Sequence, residues 1–293
     1  MREELRELWR FRELLLMFVQ RDLRVRYKNS ILGFGWSLVN PLVQVATIAV
    51  VLQFLMRDKI ESYYAYVFCA MLPWLFFNTA IMDGTQSLVA QYGLLRKTYF
   101  PREIIPIATV IANLIHFLLA TAVFLVFMSL VPLYWWARTG TFNWPLLPTV
   151  LLLPIPMLGL TLLVAGVILF ISVWTLYYED VRFLADSVLK IAYWLVPVFY
   201  FAERFRKDLP GARGELLYTI YMLNPLSGFI TAFRKLTMPP MKTLQENGSI
   251  SVTAPMGASE WTFLGIALLT SAAVFLLGYQ HFSARKWKLA ERG

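Results

Sequence analysis

Cysteine is all but missing from this sequence. Its single representative, Cys69, stands inside an apolar run, so neither a disulfide framework nor a cysteine-based metal site can be built. It reads as a small buried hydrophobe. Histidine is nearly as scarce: His116 falls in the middle of one apolar run and His281 at the end of another. No H-E-x-x-H places two of them on a helix face, and no G-x-x-x-x-G-K-[ST] supplies a phosphate loop. The chain is therefore expected to bind no ATP or metal of its own and to carry no catalytic residues. No segment repeats, which withholds support from inverted-repeat transporter folds. Charge is thin as well, at 15% of residues, where a soluble domain carries about a quarter.

What fills the space is apolar sequence, 58% of 293 residues, gathered into runs with a mean hydropathy of +0.59. That is the signature of an integral membrane protein. Between Lys28 and Arg57 there are 28 residues without a charge, and between Glu61 and Asp83 there are 21. Six runs reach the roughly 20 residues a helix needs to cross a bilayer. They predict spans at about 33–56, 63–83, 105–131, 149–176, 183–202 and 261–281. The fifth contains Asp186 and Lys190, an i,i+4 pair able to neutralise itself. A further apolar stretch, "LLYTIYMLNPLSGFITAF" at 216–233, is broken by Asn224, Pro225 and Gly228. A straight lipid-facing helix does not tolerate such a break, so a re-entrant hairpin on the outer side is expected between spans five and six.

Orientation follows from the basic residues. Residues 1–28 carry eight Lys/Arg, the tail carries four, and residues 93–106 hold Arg96, Lys97 and Arg102, while the short loops at Arg57–Glu61 and near Arg138 are poorly basic. Positive-inside bias puts both termini and that loop in the cytoplasm, which requires an even number of crossings. A net charge of +9 is then a matter of topology and anionic lipid rather than nucleic acid. Residues 1–30 do not read as a cleaved leader. They predict an amphipathic helix lying in the interface, with Leu5, Leu8, Trp9, Leu15, Leu16, Val19 and Leu23 on one face. The expected class is an all-α, multi-pass membrane protein, with that helix, a six-span domain over 31–283 and a basic tail at 284–293.

Two features suggest work. The loop "GLLRKTYFPREIIP" can form about two helical turns over 93–102. Leu94, Leu95 and Phe100 are then available to fill a cleft, and its cations can steer toward an acidic rim. Pro101 ends the helix and Glu103 begins the next. The same loop also fits a basic anchor touching lipid headgroups. Aromatics are plentiful, with 22 Phe, 14 Tyr and 10 Trp. Many suit the interfacial belt, but Trp36, Trp74, Phe76, Phe77, Tyr193, Trp194, Phe199 and Tyr200 fall within spans, where ring faces can attract the C–H edges of sugars.

The blocks "RDLRVRYKNSILGFGWSLVNPL", "LPWLFFNTA", "LLRKTYFPREIIPIA", "YYEDVRF" and "LNPLSGFITAFR", in that order, resemble the permease subunit of ABC polysaccharide exporters, which export O-antigen, teichoic acid or capsule. The chain departs from the pattern at Tyr178–Glu179–Asp180, where a basic residue is expected before the Asp, and in a long segment before the last span. The resemblance implies a homodimer in the bacterial inner membrane, docked to two nucleotide-binding subunits that carry ATP and Mg. It implies a coupling element of Leu94, Leu95, Arg96, Lys97, Tyr99, Phe100, Pro101, Arg102 and Glu103, with Tyr178, Glu179, Asp180 and Arg182 as a second contact. It places a gate for a polyprenyl-diphosphate-linked glycan at Arg21, Arg24, Arg26 and Lys28, and an outer gate at Phe201, Asn224 and Pro225. Two other classes stay open: an efflux permease for small molecules or lipids, which needs no continuous aromatic path, and a membrane glycosyltransferase using carboxylates such as Glu179 and Asp180 with a metal.

Overall fold

A computed structural model describes residues 2–27, 59–60, 63–139, 146–209, 211–240, 242–244, 250–252 and 254–286, with a few single positions between 35 and 51. The expected first span, with Lys28 and Trp36, lies outside the described residues, as does most of the basic tail. Helices dominate: α1 (Arg2–Arg10), α2 (Arg12–Tyr27), α3 (Tyr63–Ala90), α4 (Tyr92–Lys97), α5 (Ile104–Thr139), a 3-10 turn (Pro148–Leu152), α6 (Pro154–Tyr177), α7 (Asp180–Leu195), α8 (Arg204–Asp208), α9 (Ala212–Met222), α10 (Pro225–Thr237) and α11 (Ala258–Arg285). One departure from an all-helical chain is a small antiparallel sheet of β1 (Lys59–Ile60), β2 (Lys242–Leu244) and β3 (Ile250–Val252). Its central strand β2 and one edge strand, β3, come from the long segment before the last span.

Among the described residues four helical stretches are long and apolar enough to cross a bilayer: Ala65–Ala90, Ile104–Leu130, Pro148–Tyr177 and Ala258–Arg285. The chain is a multi-pass membrane protein on this count. Leu119, Val126, Leu130, Leu158, Leu269 and Leu277 leave large apolar side chains uncovered on these helices, as lipid contact requires. Inside, α6 packs on α11 and α3, and α3 on α5. The α6–α11 crossing is backbone-close. A Cβ on Gly278 would stand 2.2 Å from the Gly166 carbonyl oxygen, and one on Gly166 would stand 2.6 Å from the Phe275 backbone.

The expected fifth helical span over 183–202 is not what forms. Helix α7 has 16 residues, about 24 Å at 1.5 Å per residue, short of the ~30 Å hydrocarbon core. Pro197 is the cause. It has no N–H to donate and pushes Val196 into extended backbone (φ −105°, ψ 153°), ending the helix. The chain nevertheless reaches the opposite end, because the Phe199 carbonyl accepts from Tyr63 Oη at 2.8 Å. The stretch over 216–233 does bend at Asn224–Pro225. Asn224 Oδ1 accepts from the Leu226 N–H at 3.1 Å, Pro225 starts α10, and α9 and α10 meet at 95°.

The N-terminal region is two helices kinked at Phe11 rather than one. Its buried face is also rotated from the expected one. Phe18 and Val19 are buried, with Leu8, Phe11, Leu14, Leu15 and Leu23 packed around them, while Trp9 and Leu16 are exposed. Helix α2 lies on α5, so protein packing, and not the bilayer alone, chose the face.

Candidate functional site

The bundle has two ends. The near end carries α4, the start of α5, the N-terminal helices and the last residue of α11. The far end carries Tyr63, the α9–α10 corner and the start of α11. At the near end, α4 spans only Tyr92–Lys97, and the loop after it turns inward. Leu95 (8% exposed) and Phe100 (6%) are buried, packed with Phe18, Leu88 and Ile104; the Phe100 and Phe18 rings stand 6.0 Å apart. These two are thus not available to fill a cleft elsewhere. Arg102 donates to the Lys286 carbonyl, and Lys286 Nζ reaches the buried Glu103 carboxylate at 2.7 Å. Burial lowers the Arg102 guanidinium from its ordinary range. Among the described side chains expected to couple, Leu94, Lys97 and Tyr99 face outward, with Pro101 half-buried. The α6–α7 turn at this same end exposes Tyr178, Glu179, Asp180 and Arg182.

Beside this surface, α2, α3 and α5 enclose a polar cleft of about 450 Å³, lined among others by Arg21, Arg26, Asp83, Gln86, Gln91 and Asn113. Two of the predicted gate arginines line it, and both are already paired. Arg21 holds its neighbour Asp22 at 2.8 Å. Arg26 bonds the Asp83 carboxylate and donates to Asn113 Oδ1 at 3.1 Å, while Asn113 Nδ2 donates to the same Asp83 oxygen at 3.0 Å. Arg24 is exposed outside the cleft.

The predicted aromatics divide. Trp74, Phe77, Tyr193, Trp194 and Phe199 form one connected group. Trp74 lies 6.1 Å from Phe77 and 5.3 Å from Tyr193. Tyr193 in turn lies 5.4 Å from Trp194 and 5.0 Å from Phe199. Trp194 is exposed, so the group opens on the molecular surface. Phe76 instead stacks on Phe117 at 4.9 Å, away from the group. Tyr200 pairs with Tyr221, hydroxyl to hydroxyl at 2.9 Å. Phe201 lies 4.3 Å from Tyr66.

Around Phe201 the far end holds a charged cluster that the sequence reading missed. Lys235 is buried between Glu203 at 2.6 Å and Glu260 at 2.9 Å. Arg234, also buried, lies 4.1 Å over the Tyr66 ring and donates to the Pro197 carbonyl at 3.0 Å. Glu260 further accepts the Gly257 N–H and the Ser259 hydroxyl, each at 3.0 Å. The signal was present: two adjacent cations in an apolar segment, and one acid in the first turn of the next apolar run.

With these surfaces described, comparison with known proteins is informative. An O-antigen export system permease protein (RfbA) of Myxococcus xanthus is 27% identical over 255 residues, covering 87% of this chain and 93% of that one. Two proteins of the same name from Klebsiella pneumoniae are 25% and 24% identical over 279 residues, covering 95% of this chain and 94% of theirs. This chain is similar throughout to O-antigen export permeases. The resemblance to polysaccharide-exporter permeases read from the sequence is thereby borne out. No protein-family model matches the chain. The similarity to these export permeases covers most of the chain.

Proposed function

We propose that this chain is the membrane-spanning subunit of an ATP-driven exporter that moves a polyprenyl-diphosphate-linked polysaccharide of the O-antigen class across the bacterial inner membrane. Two copies pair, each docks a nucleotide-binding subunit, and ATP with its Mg²⁺ stays on those partners. One observation carries the reading. The outward Leu94, Lys97 and Tyr99, the outward Tyr178–Arg182 turn and the arginine-lined cleft share one end of the bundle. Motion imposed on that end by a partner reaches the cleft directly through α4 and the base of α5.

In this reading the near end is cytoplasmic, with both termini there. The segment between Tyr27 and Tyr63 supplies the first of six crossings, and α7 with residues 196–199 supplies the fifth. The α9–α10 corner is the re-entrant outer gate, with Phe201, Asn224 and Pro225 at its hinge. Guanidinium groups of the cleft receive the diphosphate in charge-assisted bonds. The glycan then follows along the Trp74–Phe199 group, which reaches the surface at Trp194 and there meets the second copy. Aromatic faces hold sugars without fixed hydrogen bonds to break. The test is co-purification with a candidate ATPase subunit, comparing wild type with K97E/Y99A/R182E. Loss of the complex and its ATPase activity, with the permease still monodisperse, is expected. Unchanged binding would refute the docking surface.

A further inference from the structure

We infer that Asp83 and Asn113 form an internal latch that holds Arg26, and with it helix α2, until a diphosphate-bearing head group takes the arginine. This rests on the gate reading above and adds the residue against which the substrate competes. Arg21 is paired with its own neighbour Asp22, so that bond travels with α2 wherever the helix goes. Arg26 differs. Its carboxylate partner is on α3 and its amide partner on α5. Asn113 completes a ring by donating to Asp83 while accepting from Arg26. The ring ties a surface helix to two membrane spans through one guanidinium, beside a longer bond in which Asp22 accepts from the Thr109 hydroxyl of α5 at 3.4 Å.

The cleft around it is open and polar. Its volume of about 450 Å³ leaves room for two phosphate groups. Gln86 and Gln91 line it with amide donors. Asp83 offers the guanidinium one negative charge. A diphosphate offers more charge and more acceptor oxygens in the geometry that a guanidinium fork matches. It can therefore displace the carboxylate without help from elsewhere. Once it does, Asp83 retains the Asn113 amide as a donor, so the vacated acid is not stranded. Substrate arrival and release of Arg26 from its ties to α3 and α5 thus become one event.

The experiment measures binding of farnesyl diphosphate and, separately, inorganic pyrophosphate to the full chain in nanodiscs, for wild type, D83N, R26Q and D83N/R26Q. D83N keeps the side-chain shape and removes the competitor, so binding should tighten about fivefold, the scale of one partly exposed ion pair. R26Q should weaken binding, and D83N should add nothing in the R26Q background. D83E should return to wild-type affinity, which guards against a folding artefact. A gain for both probes supports the latch and assigns it to the phosphates alone; a gain for farnesyl diphosphate only supports it and assigns it to a lipid-borne head group. A gain that persists in R26Q is a general field effect and overturns the latch. Wild-type affinity in D83N also overturns it, leaving the gate reading intact. No binding of either probe to any variant removes the gate reading, and the latch with it.

Discussion

Replacing Lys235 with Met should be among the most damaging single changes outside the near end. The ammonium is buried, 2.6 Å from Glu203 and 2.9 Å from Glu260. Met keeps most of the stem volume and removes only the charge, leaving two carboxylates facing one another. Breaking a buried pair by deleting one partner costs about 3–5 kcal/mol, because the remaining charge is stranded. The side chains of Glu260 and Glu203 are 6% and 23% exposed, so water can relieve only the second. Glu260 also keeps its bonds to Gly257 and Ser259, which argues for the lower half of that range. At about 3 °C per kcal/mol for a chain of this size, the thermal midpoint of the purified protein in detergent should fall by roughly 10 °C. K235M/E203Q should recover part of the loss, since one carboxylate is then neutral. The Lys190–Asp186 pair is the control: it is exposed, at 75% and 42%, so K190M should cost under about 1 kcal/mol. If K235M shifts the midpoint no more than K190M does, the far-end cluster is solvated and the argument from burial fails.

Two further outcomes follow from packing. Gly278→Ala drives a methyl into the Gly166 carbonyl at 2.2 Å, so α6 and α11 must separate, and a melting scan should show a loss of about 1–3 kcal/mol or more. Gly265→Ala, on the same helix with nothing within 4 Å of its Cβ, should be neutral or gain up to ~1 kcal/mol from helix propensity. At the near end, Leu95→Ala should cost about 2–5 kcal/mol of stability by cavity formation and leave affinity for an ATPase partner in the intact fraction unchanged. Lys97→Glu should do the reverse, as read by melting and pull-down on the same preparations.

The sequence made the long apolar helices legible because they are set by hydropathy and length alone. It made the Asn224–Pro225 corner legible because a capping Asn followed by Pro dictates a helix start locally. It failed where a local rule met a tertiary one. The stretch 183–202 has the length of a span, yet Pro197 cuts the helix after Leu195, and only the Tyr63–Phe199 bond shows that the chain still reaches the far end. Trp9 and Leu16 satisfy the periodicity of a bilayer-resting helix, but packing on α5 buried Phe18 beside the expected Val19 and left those two exposed. Leu95 and Phe100 look free in a short basic loop. They are buried because the loop folds back under α2, where Arg102, Glu103 and Lys286 tie it down. Arg234 and Lys235 read as basic residues at a helix end, and nothing local pairs Lys235 with acids 32 positions upstream and 25 downstream of it.

The distribution of polar contacts argues for which parts move. Between its ends the bundle is held by apolar packing and by the α6–α11 backbone contact at Gly166 and Gly278, which leaves no slack for those two helices to slide. Helices α6 and α11 should therefore travel as one body. Among the described residues, two ionic ties at the ends join that body, or its neighbours, to segments that are not spans. Arg26 ties α2 to α3 and α5, and Lys235 ties α10 to Glu203 and to the start of α11. An ion pair is a two-position contact, either made or replaced by another partner, whereas a packed core deforms little. An export cycle that opens one end at a time needs switchable contacts at the ends and a stiff connection between them. Of these two the Arg26 tie is the weaker, unlike the enclosed Glu103–Lys286 pair that joins the base of α5 to the end of α11 beside it. Its arginine and aspartate side chains are 35% and 41% exposed, whereas Lys235 and Glu260 are almost wholly enclosed. Water and substrate can reach the first pair without unfolding anything. The near end should therefore open first, and the far end only after the body between them has moved.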